Sequence, residues 1–161
     1  MKKIFAMLVL SLFAFSACSD FFIDVTAVHN GLVSRMDNLL SAEEAFYDQY
    51  VTIQEGDDAA QLVNYYDNFV FAADELDRYF TETNFASTQQ IFIEQYNDFY
   101  KTKVQEYLAL AGEFVDMVEK NGFVLADAEA YFDQLDQFGQ DFVDVHNRLI
   151  DTINLQADPE L

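Results

Sequence analysis

Apolar side chains recur along most of this chain at alternating steps of three and four, the spacing that lines one face of an α-helix. Val25, Val28, Leu32, Met36, Leu39, Phe46, Tyr50 and Ile53 keep that rhythm, with Glu43 in its polar gap. Ser41 followed by Glu44 has the form of a capping box, which leaves open a break or kink near Leu40. Gly56 supplies a stop. Asp58 with Gln61 restarts the chain for a helix over residues 58–83, whose inward row is Leu62, Tyr66, Phe69, Ala73, Leu76 and Phe80. Ser87 with Gln90 opens a third helix over 87–121, carrying Ile93, Tyr96, Tyr100, Val104, Tyr107, Ala111, Phe114 and Val118 inward and closing at Asn121-Gly122. A fourth, over 126–156, buries Ala128, Tyr131, Leu135, Phe138, Phe142, Val145, Leu149 and Ile153. Its opposite face is a polar stripe of Glu129, Asp133, Asp136, Gln140 and Asp144.

Four long amphipathic helices with short connections predict an all-α domain: an up-down-up-down antiparallel four-helix bundle over residues 25–156, about 40–50 Å long, with a C-terminal tail at 157–161. No strand is expected. Composition agrees with this picture. The chain has 17 Phe, 9 Tyr and a single proline, Pro159, so a large aromatic surface must be buried and little interrupts the helices. A formal net charge of −21 sets the protein against nucleic acid and anionic headgroups, which it would repel.

The first eighteen residues follow a different rule. Lys2 and Lys3 precede an apolar run over 4–15, too short to span a bilayer as a stable helix, and the run ends in small residues before Cys18, the one cysteine. Phe15-Ser16-Ala17-Cys18 resembles the lipobox of bacterial lipoproteins. The resemblance implies a signal peptide at 1–17, cleavage before Cys18, a diacylglycerol thioether on its sulfur and acylation of the new amine. Residues 18–24 then form a lipidated tether reaching at most about 20 Å. Ser19 directly after the cysteine implies the outer membrane where the cell has one, and the outer face of the cell membrane otherwise. Cleavage removes two of the eight basic residues and none of the 29 acidic ones, taking the formal charge from −21 to −23. The mature chain then keeps no free thiol, which excludes disulfides, cysteine-bound metals and thiol catalysis.

Chemistry beyond the anchor is sparse in the sequence. A di-iron bundle needs Glu-x-x-His pairs, and neither His29 nor His146 has a glutamate three residues before it; both read as partly exposed histidines beside the core. No metal site, cofactor or catalytic group is expected, and the chain does not read as an enzyme. The reading is a lipid-anchored envelope protein that binds or scaffolds. Its candidate contact surface is the end away from the membrane, where Asp57 and Asp58 could steer a basic envelope partner and Phe123, Val124 and Leu125 could anchor it. The alternative is a carrier. Tyr66, Tyr96, Tyr100, Tyr107 and Tyr131 on inward rows could line a cleft for an aromatic or sugar-like ligand, or acidic groups could hold cations. If the tyrosines are structural, their rings pack and their hydroxyls reach water at the helix seams.

Overall fold

A computed structural model describes residues 23–57 and 59–157. The segment at 1–17 expected to be a signal peptide, Cys18, Asp58 and residues 158–161 of the expected tail lie outside those residues. The described chain is helical, with no strand: α1 spans Val25–Thr52, α2 Ala59–Glu82, α3 Gln90–Gln95, α4 Lys101–Asn121 and α5 Leu125–Ala157. A 3-10 turn, Ser87–Gln89, precedes α3, and a π turn, Tyr96–Tyr100, joins α3 to α4.

The helix ends are set by local polar groups. Asp24 caps α1 by accepting the Ala27 N–H on Oδ1 at 2.9 Å. α1 then continues through Ser41 without a break. Its exit is a turn in which Gln54 N–H donates to Asp57 Oδ2 at 2.8 Å, with Gly56 at φ +91°. At the start of the third rod, Gln89 plays the part expected of Gln90: its Oε1 accepts the Ala86 N–H at 3.1 Å, and the side chain is buried. The α4–α5 connection pivots on Gly122, at φ +73°, and Val124 O accepts N–H bonds from Asp127 and Ala128, both at 3.0 Å.

α1 packs on α2, α2 on α4, α4 on α5 and α5 back on α1, so the long helices close a ring around one core. Tyr50, Tyr100, Tyr107, Phe46, Phe69, Phe92, Phe114 and Phe142 are among its fully buried side chains. Phe69 meets Tyr107 and Phe142 edge-on at 5.3 and 6.1 Å, a favoured aromatic geometry.

The π turn sets the phase of the third rod. Phe92, Tyr96, Tyr100 and Val104 are all buried, at three successive steps of four. In an ideal α-helix such steps would carry the stripe about 120° around the axis. Lys101 N–H instead donates to Tyr96 O, five residues back, and this wider turn returns Tyr100 and Val104 to the core. Phe92 therefore takes the inward place expected of Ile93, which is only half-buried. No described helix is long and apolar enough to cross a membrane.

Candidate functional site

Most of the core tyrosines hold their hydroxyls within the protein, whereas Tyr131 is half-buried with its ring 5.7 Å from Phe114. Each of five finds a protein acceptor or partner on another helix or across a seam. Tyr50 donates to Asp136 Oδ1 at 2.7 Å, Tyr66 to Leu108 O at 3.2 Å, Tyr79 to Val28 O at 2.9 Å, Tyr96 to Asp77 Oδ1 at 3.0 Å and Tyr107 to Glu43 Oε1 at 2.8 Å. Burial pushes all five phenol pKa values up, and acidic neighbours push those of Tyr50, Tyr66, Tyr96 and Tyr107 further. They are proton donors at any working pH. Two of these contacts depend on glycine. A Cβ at Gly112 would lie 2.6 Å from the Tyr66 hydroxyl, and one at Gly31 would collide with that of Tyr79. The bare helix surface lets each phenol reach a carbonyl three or four residues upstream.

His146 is buried at 2 % exposure, a correction to the partly exposed histidine expected from sequence. Its Nδ1 lies 3.0 Å from the Tyr100 hydroxyl. Burial raises the Tyr100 pKa, so the phenol keeps its proton and shares a hydrogen bond with the imidazole. Burial lowers the His146 pKa to about 4, against a smaller opposing pull from Asp37.

Glu43 is a further buried ionisable group, at 4 % exposure. Burial raises its pKa to about 7, with Glu44 and Asp48 adding to the rise and the Tyr107 bond opposing it. It sits at the base of a cleft of about 590 Å³ between α1 and α5, together with Glu44, Tyr47, Asp48, Asp136, Gly139, Gln140, Val143 and Asp144. Asp136, Gln140 and Asp144 come from the polar stripe foreseen on the last helix. The α1 contribution was not foreseen, although Glu43 interrupting an apolar row was its signal.

Of the residues singled out for partner contact, Asp57 is exposed and its carboxylate is engaged in the turn with Gln54. Val124 is 37 % and Leu125 50 % exposed. Phe123 is turned inward at 6 % and faces Phe132 at 6.3 Å. Phe132 also stacks on Tyr50 at 6.1 Å, so the 53–57 and 122–124 connections share one end of the molecule. Val51, 48 % exposed, adds to the apolar surface near that end. Asp58 and Cys18 fall outside the described residues. Among the described residues no group of three His, Cys, Asp or Glu side chains is placed to hold a metal ion.

Comparison with protein-family models, with curated proteins and with solved structures finds no match to this chain.

Proposed function

We propose that the protein is a lipid-anchored, extracytoplasmic helical bundle that binds or scaffolds a partner in the cell envelope. The observation that carries this reading is Phe15-Ser16-Ala17-Cys18 standing six residues before Asp24, the N-cap of α1. A lipid on Cys18 would hold the folded body within about 20 Å of the bilayer. More than one acyl chain is needed for stable anchoring, at about 0.8 kcal/mol per buried methylene, and the acidic surface adds no attraction of its own. The topology in this reading is up-down-up-down. Pairs such as Tyr79 with Val28, Tyr96 with Asp77, Tyr100 with His146 and Tyr50 with Asp136 each join a late residue of one helix to an early one of its neighbour. That arrangement turns the 53–57 and 122–124 connections away from the membrane, where Asp57, Val124 and Leu125 meet a basic envelope partner. The membrane is the outer one where the cell has two.

Cys18→Ser should move the protein from the membrane fraction to the soluble fraction, because no described helix is long and apolar enough to cross a membrane. Unchanged fractionation would defeat the anchor. Val124→Ser with Leu125→Ser and Asp57→Asn should abolish capture of the envelope partner held by wild type. Persistent capture in that variant would move the contact to the bundle's flank. A second reading, a carrier of cations, draws on the acidic α1–α5 cleft.

A further inference from the structure

The α1–α5 cleft has walls of two kinds. Glu44 and Asp48 on α1 face Asp136 and Asp144 on α5, while Tyr47 and Val143, 40 % and 38 % exposed, supply apolar surface. The base carries Glu43, 96 % removed from solvent. One of its oxygens accepts the Tyr107 hydroxyl; among the described residues the other has no hydrogen-bond partner. That oxygen is not sealed away either, since among the described residues no fully enclosed polar side-chain atom lacks a partner. The cleft is its way out. Gly139 lies beside the bonded oxygen, where a Cβ would stand 3.6 Å from Glu43 Oε1, an ordinary contact distance.

Among the described residues no cation neutralises this cleft. Arg35 lies over Tyr79, Arg148 over Phe99, and Arg78, Lys101, Lys103 and Lys120 pair with acids elsewhere. The acids are also strung out. Asp136 and Asp144 are eight residues apart on one helix, about 12 Å along its axis. A single compact ion cannot satisfy them, in keeping with the absence of a metal-holding group among the described residues. A cleft of about 590 Å³ is large enough for a small organic ligand.

We infer that this cleft binds a linear aliphatic polyamine, its ammonium groups spaced along the row from Asp136 to Asp144 and its methylenes lying on Tyr47 and Val143. Several charges on one flexible chain match carboxylates separated along a helix, and the apolar walls take the stem that a hydrated metal ion lacks. An ammonium at the base meets the free oxygen of Glu43, and Tyr47 offers a ring face to a second. This names the ligand class for the carrier reading and rests on it. It is independent of the anchor and the end-face contact, which fractionation and partner capture test separately.

The test is calorimetric titration of the full chain, purified in non-ionic detergent, with spermidine at about 150 mM salt. One site per chain is expected. Asp136→Asn with Asp144→Asn should weaken it about tenfold or more, whereas neutralising two exposed acids on α4, Glu113→Gln with Glu119→Gln, should change it less than about twofold. n-Butylamine, with one charge on a similar stem, should bind at least about tenfold more weakly than spermidine. Val143→Lys, at a half-exposed position that leaves the core intact, should abolish the site by placing an ammonium in the cleft. It serves as the second variant if the asparagine pair fails to fold. No binding, several weak equivalent sites, equal loss in the α4 control or equal affinity for the monoamine would each overturn the assignment, the middle two by showing only a diffuse counterion atmosphere.

Discussion

Tyr107 on α4 donates its hydroxyl hydrogen to Glu43 on α1 at 2.8 Å, joining two helices that lie diagonally across the ring. The two side chains meet where α5 carries Gly139. The bond is built for a protonated acid as well as for a carboxylate, because a carboxyl oxygen accepts in either state.

Glu43 should therefore tie stability to pH. Its folded pKa, about 7, exceeds the ordinary 4.5, so the native state binds more protons than the unfolded state between those values. The contribution is fully present below pH 4.5 and is lost as pH rises through 7, by about 3 kcal/mol in all. Glu43→Gln retains an acceptor for Tyr107 and removes the titration. Denaturant unfolding of this variant should lose that slope; an unchanged slope would place the proton elsewhere.

His146 works in the opposite sense. Its folded pKa, about 4, lies below the ordinary 6.5, so the unfolded state binds the extra proton and stability falls as pH drops from 6.5 toward 4. In the wild type the two slopes offset each other between pH 4.5 and 6.5. His146→Gln, whose amide oxygen can accept from Tyr100, should leave a protein that gains stability on acidification, and Glu43→Gln should leave one that loses it. Parallel curves for the two variants would refute both assignments.

Gly31→Ala should destabilise, although alanine normally improves a helix by up to about 1 kcal/mol. The added methyl displaces the Tyr79 hydroxyl and breaks its bond to Val28 O, at a net cost of about 1–2 kcal/mol. In a Tyr79→Phe background the same change should become neutral or favourable. A double-mutant cycle showing no coupling would rule out the contact.

Phe123 and Leu125, two residues apart, should respond differently to serine. Phe123→Ser opens the core beside Phe132 and should cost about 3 kcal/mol or more, while Leu125→Ser at a half-exposed position should stay within about 0.5 kcal/mol. Equal melting shifts would contradict this placement.

The net charge of −21 adds a bulk effect. Repulsion among carboxylates opposes compaction, so raising salt from about 20 to about 300 mM at pH 7 should raise Tm. A Tm that does not move would show that the charges are already balanced locally.

Much of this architecture was legible in the periodic residues. The expected helices at 58–83 and 126–156 differ from α2 and α5 by one residue at each end. What hid in the sequence were positions where the core is not apolar. Leu135, Gly139, Phe142, His146, Leu149 and Ile153 form the buried row of α5, at steps of four and three, yet Gly139 and His146 read as polar gaps. Phe138 and Val145 beside them looked like the inward residues and are only half-buried. The π turn hid likewise, because a row at steps of four can be read as α-helix with a drifting stripe. The cleft was the least legible, since its two walls are about ninety residues apart in sequence and each alone is an ordinary solvated helix face.

The pairing of a phenol on one helix with a bare glycine on the next restricts how the rods can slide. A core of interchangeable Phe and Leu tolerates a shift of one helical turn with little loss. Here such a shift would carry Tyr79 from Gly31 to Arg35 or Ala27, and Tyr66 from Gly112 to Leu108 or Asp116. Each hydroxyl would strike a side chain and leave its acceptor behind. The two notches thus act as a vernier: many misalignments share the greasy contacts, and one alignment seats both teeth.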